Sequence, residues 1–84
     1  MYTVTLDAES RQQLDALPPA ALAPLAELRA MLEVAPWNGD PFNKLKPERP
    51  MRGQPFGPNN EGMAAYLILD DQRRVDLLTI VWMG

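Results

Sequence analysis

GMAAYLILDDQRRVDLLTIVWMG, Gly62 to Gly84, is the stretch that decides the fold. Two apolar runs, Met63 to Leu69 and Val75 to Trp82, are rich in leucine, β-branched and aromatic residues, as strands are. Between them, Asp70-Asp71-Gln72-Arg73-Arg74 has the length and polarity of a hairpin loop. The second run is apolar on both parities: Val75, Leu77 and Val81 fall on one, Leu78, Ile80 and Trp82 on the other. Such a strand is expected in the middle of a sheet, covered above and below.

Upstream, Tyr2, Val4 and Leu6 alternate with Thr3 and Thr5, which predicts a short half-buried strand. Asp7 is placed to cap a helix over Ala8 to Ala16, with Glu9 in its first turn. Pro18-Pro19 ends that helix, and Pro19 suits the start of a second one. The second spans Ala20 to Val34, with Leu22, Leu25, Leu28, Met31 and Leu32 as its core stripe. Pro24 is tolerable in a first turn, so the regular helix is expected to begin nearer Ala23.

From Ala35 to Asn60 the periodicity breaks. Six of the nine prolines lie there, so the segment is expected to be a long loop of the kind that often carries function. A short strand is expected at Met51 to Phe56, confined by Pro55 to a sheet edge or a strand end. The final strand has one free side, where Tyr2 to Leu6 fits. The expected order is first, last, penultimate, antepenultimate strand.

The 84 residues make one domain. A chain of that size buries only about 60–65% of its unfolded surface, which leaves little room for an enclosed active site. Cysteine and histidine are both absent. That removes disulfides, thiolate nucleophiles, the commonest metal ligands and the commonest general base near neutral pH. No metal or cofactor is expected. The apolar runs are too short to span a bilayer, and the first ten residues lack the form of a signal peptide. A soluble, cytoplasmic protein is expected.

Residues 1–43 carry a net charge of −4 and residues 44–84 a net of +1. Half of the eight basic residues fall in one window: Lys44, Lys46, Arg49 and Arg52. A net acidic chain is ill suited to general nucleic-acid binding, yet a local basic patch is compatible with one specific anionic contact. These four are the candidate binding residues; the alternative is a solvated loop. Tyr66 fits core packing better than a catalytic phenol, and Trp82 fits a sheet-face anchor better than a base-stacking platform. Trp37 and Phe42 are expected to lid the end of the second helix. Asp70 and Asp71 are adjacent, so their carboxylates diverge and make neither a dyad nor a metal pair.

The opening YTVTL, the helical hairpin ending in LRAMLEVAPW and the closing YLILDDQRRVDLLTIVW together resemble the RelE/ParE superfamily of type II toxin–antitoxin toxins. The resemblance covers nearly the whole chain and rests on patterned apolar positions. It implies an α+β domain of two layers, with a helical hairpin on one face of an antiparallel sheet. It also implies an antitoxin protein as partner. RelE-like members cleave messenger RNA on the ribosome, and ParE-like members poison gyrase. In the cleaving branch, basic residues between helix and sheet, one on the penultimate strand, and a closing Tyr or His serve the chemistry. Here the basic window occupies the first place. Ala64, Ala65 and Tyr66 stand where the strand arginine is expected, and no Tyr or His follows Trp82. No catalytic residue is assigned. The implied function is a toxin-like module whose RNA cleavage is in doubt, with a non-catalytic interaction module or a gyrase-directed inhibitor as alternatives.

Overall fold

The computed structural model describes residues 1–41, 44–46 and 48–84. Strand β1 (Thr3–Leu6) leads into helices α1 (Ala8–Asp15) and α2 (Pro19–Val34). A 3-10 turn, Pro36–Asn38, and strand β2 (Asp40–Pro41) follow. Strands β3 (Met51–Phe56), β4 (Gly62–Leu69) and β5 (Arg74–Trp82) complete the chain. Among the described residues no helix is long and apolar enough to cross a membrane.

Asp7 opens α1 as its position predicts. Its Oδ1 accepts the Ser10 N–H at 2.8 Å and the Ser10 hydroxyl at 2.9 Å, which satisfies a buried serine. Those bonds from Ser10 hold the Asp7 carboxyl below the usual carboxylate range. α2 starts at Pro19, not near Ala23, and runs through Pro24. The carbonyl that Pro24 cannot serve belongs to Ala20, an exposed residue, where water can replace the lost donor. Leu25, Leu28 and Leu32 form the buried stripe, each side chain contributing about 1.5–3 kcal/mol of burial. Leu22 was expected on that stripe but is 50% exposed; Ala21 is buried in its place.

The sheet order is β1-β5-β4-β3-β2. β5 lies between β1 and β4, as the two-faced apolar run predicted. β1 runs parallel to β5, with Thr3 opposite Arg74 and Leu6 opposite Leu77, so the sheet is mixed where an antiparallel one was expected. No hairpin joins these two strands, so nothing forces them to run in opposite directions. β2 is a strand the turn chemistry had concealed. It covers β3 at Gly53 and Arg52 alone, which leaves Pro55 past its reach, where a missing N–H does no harm.

The pairing of β4 with β5 corrects the expected faces of β5. Ala65 pairs with Thr79 and Tyr66 with Leu77, so the register skips Leu78. A bulge of this kind flips the alternation by one. Before it Val75 and Leu77 face the helices; after it Ile80 and Trp82 do. β4 keeps strict alternation opposite them, with Ala64, Tyr66 and Ile68 all buried. The Ile80 N–H is turned away from β4 and meets the Gln13 side chain of α1 at 2.7 Å. The helices cover one face only. On the other, the paired residues Met63 and Val81 are 49% and 42% exposed, so β5 is not covered above and below.

Candidate functional site

Three separate segments meet at the end of the sheet where β1 begins and β4 turns into β5. Asp70, at the tip of that turn, accepts hydrogen bonds on one carboxylate oxygen from the Tyr2 hydroxyl and from Trp37 Nε1. Arg73 follows in the left-handed region, at φ +51°, and aims the chain into β5. Its guanidinium lies 4.9 Å from the Tyr2 ring centroid and donates to the Tyr2 hydroxyl at 3.1 Å. The Tyr2 and Trp37 bonds, with the Arg73 charge beside them, hold the Asp70 carboxyl below the usual range. Asp70 therefore remains an anion at neutral pH and is a weak proton acceptor.

Behind this cluster Tyr66 is fully buried, and its hydroxyl donates to the Pro36 carbonyl at 2.7 Å. Burial pushes its pKa up to about 12, against the lowering effect of Arg52 and of the Gly39 backbone. The phenol is thus a protonated structural donor, in keeping with the core reading of this residue. Gly39 is required by this contact: a Cβ there would lie 2.0 Å from the Tyr66 hydroxyl.

The four expected binding residues do not share one surface. Lys44, Lys46 and Arg49 are exposed on the segment between β2 and β3, with Leu45 exposed among them. Arg52 is 8% exposed and belongs to the interior. It lies on β3 opposite Tyr66, whose side chain faces the helices, and the alternation of the strand carries it inward. Its Nη1 donates to the carbonyls of Gly39 at 2.9 Å and Trp37 at 3.4 Å, and its guanidinium sits 4.9 Å from the Trp37 ring centroid. Arg52 is a strut that fixes the 3-10 turn to β3, not a member of an exposed patch.

Trp37 covers Arg52 and reaches the hairpin tip, rather than simply closing the end of α2. Phe42, paired with it in that expectation, lies outside the described residues. Trp82 anchors the helix-side face against Phe56, with ring centroids 5.7 Å apart. The link between Tyr2 and Asp70 spans 68 residues and carries no local sequence signal.

On the face turned away from the helices, Arg74 and Asp76 form an ion pair at 2.8 Å, and the Thr5 hydroxyl donates to Asp76 at 2.5 Å. Burial works against the Asp76 carboxylate, but Thr5 and Arg74 outweigh it and hold its pKa low. The Arg74 side chain is 41% exposed, so the pair stands at the surface within reach of solvent. Among the described residues no group of three or more His, Cys, Asp or Glu could hold a metal ion.

No protein-family model and no curated protein matches this sequence. Solved structures do match the fold. The isolated RelE toxin of E. coli superposes with a TM-score of 0.81, over 100% of this chain and 86% of the toxin, at 9% identity. This is a RelE-like fold. A chain of the intact E. coli RelBE toxin–antitoxin complex matches with a TM-score of 0.79, over 100% of this chain and 99% of its own, at 9% identity. A RelE mutant in complex with a RelB antitoxin peptide matches at 0.77, over 94% of this chain and 80% of its own, at 10% identity. At such identities the likeness is one of backbone architecture. Lys44, Lys46 and Arg49 precede β3 in the chain, and Arg74 lies on the open face in its pair with Asp76.

Proposed function

We propose that this chain is a toxin-like module held in check by an antitoxin protein, and that it acts in the cytoplasm by binding a target rather than by cutting RNA. The observation that carries the first part is architectural agreement with RelE over the full length of the chain. The second part rests on the site chemistry. Cleavage needs an acceptor for the 2′-hydroxyl proton and an offset for phosphorane charge. Here Asp70 and Asp76 have lowered pKa values and are weak bases, and Tyr66 is buried and protonated. The exposed Lys44, Lys46 and Arg49 could offset charge, so the second part rests on the want of a proton acceptor among these groups. A gyrase-directed inhibitor is the second reading, because such inhibition calls for no catalytic group.

Lys44, Lys46 and Arg49 are the proposed contact surface for an acidic stretch of the antitoxin. Arg52 is not part of that surface; it ties the 3-10 turn to β3 from within. The test is induction of the protein alone and together with any small reading frame found next to its gene. Growth arrest relieved by the neighbour, with no codon-specific cuts in primer extension, is the expected result. Cuts appearing within minutes of induction would overturn the binding reading; harmless induction would overturn the toxin reading. Changing Lys44, Lys46 and Arg49 to Ala should weaken antitoxin binding and leave the melting transition in place.

A further inference from the structure

α2 is apolar on both sides. One side is the buried Leu25, Leu28 and Leu32 stripe. The other carries Leu22, Ala26, Ala30 and Val34, at four-residue intervals along a single row of the helix surface. All four are exposed, Leu22 by 50% and Val34 by 70%. An exposed apolar row of this kind is a surface that a second neighbour can bury. The row has bulk at both ends and alanine in the middle, so a second helix can approach closely at its centre. Rows of this spacing interdigitate when two helices cross at about −50°, the commonest packing class.

The charges name the neighbour. Glu27 and Arg29, both exposed, flank the row one on each side, at the level of its midpoint. In a two-fold pair with the helices parallel in sense, the flank bearing Glu27 on one copy faces the flank bearing Arg29 on the other. Two reciprocal Glu27–Arg29 contacts result, with Ala26 and Ala30 at the crossing. In an antiparallel pair Glu27 would face Glu27 and Arg29 would face Arg29. For Glu27 and Arg29 the pattern is complementary to itself in the parallel sense only; Glu33, exposed on the Arg29 flank, lies a turn further along. We propose that this face of α2 seats a second copy of this chain in a parallel, two-fold contact. It lies across the helix layer from the open sheet face and does not depend on the functional reading above.

Sedimentation velocity over a micromolar to high-micromolar range tests this on the whole chain. Wild type should show a monomer–dimer equilibrium. Glu27→Arg alone and Arg29→Glu alone each put like charges opposite one another and should weaken dimerisation about tenfold. The double variant restores complementarity and should return to the wild-type constant, and an equimolar mixture of the two single variants should form heterodimers. Ala26→Glu should give monomers with an unchanged melting transition, since the site is exposed. A wild type that stays monomeric throughout would overturn the proposal. So would a double variant no better than the singles. An antitoxin complex lost on Ala26→Glu without any self-association would instead give this face to the antitoxin and overturn it too.

Discussion

Replacing Gln13 with leucine should lower the stability of the protein by about 1–3 kcal/mol, although Gln13 touches nothing in the candidate site. β1 ends opposite Leu77, and beyond that point the outer edge of β5 has no strand partner. The bulge at Leu78 turns the Ile80 N–H toward that edge, and Ile80 is 4% exposed, so water is a poor substitute for the lost acceptor. The Gln13 side-chain oxygen takes the bond at 2.7 Å. Leucine preserves bulk and helix propensity, so the change isolates the orphaned donor. For a domain of this size each kcal/mol moves the melting temperature by about 4–8 °C. Thermal and urea melts followed by circular dichroism provide the assay. Exposed Gln12→Leu, one residue earlier, is the control and should stay within about 0.5 kcal/mol. A Gln13→Leu variant that melts within a degree of wild type would show that the bulge needs no such acceptor.

Gly39→Ala should destabilise the domain by forcing Tyr66 aside, because the new Cβ would sit 2.0 Å from its hydroxyl. Tyr66→Phe loses the bond to Pro36 but opens that space, so urea melts of the two singles and the double should show strong positive coupling; simple additivity would refute the contact. The Asp70 carboxyl titrates below its ordinary value of 3.8 in the folded state, so the unfolded chain binds the proton first as pH falls. The stability it contributes is present above 3.8 and is lost as pH drops through the folded value. Asp70→Asn should therefore flatten the acid limb of stability against pH below about 4 and reduce the Trp37 fluorescence change there. An acid limb identical to wild type would exclude Asp70 as a contributor.

Much of this architecture could be read from residue order. The β4–β5 pair, the Asp7 cap and the Pro18-Pro19 corner are local events whose chemistry lies within a few residues, and each occurs where expected. Misreadings arose where a distant partner decided the outcome. Apolar residues on both parities of β5 suggested two covered faces, yet the same pattern is what a one-residue slip at Leu78 produces. Lys44, Lys46, Arg49 and Arg52 looked like one cluster because spacing alone cannot show that strand alternation takes the last of them under Trp37. Pro24 seemed to delay α2, but its cost depends on whether the freed carbonyl is wet, which only the tertiary structure decides. The Tyr2–Asp70–Trp37 junction joins residues far apart in the chain and was invisible for that reason.

The parallel seam between β1 and β5 has a consequence for how the chain reaches this state. Thr5 and Asp76 are 71 positions apart, whereas β3, β4 and β5 meet their neighbours through short turns. Closing the longer loop costs more chain entropy and must await the nearer pairings. The three-strand meander is thus the natural nucleus, and the opening strand docks onto it late. A nascent chain would carry Thr3 to Leu6 from the outset as an unpaired edge, able to join another strand until its own partner has emerged from the ribosome.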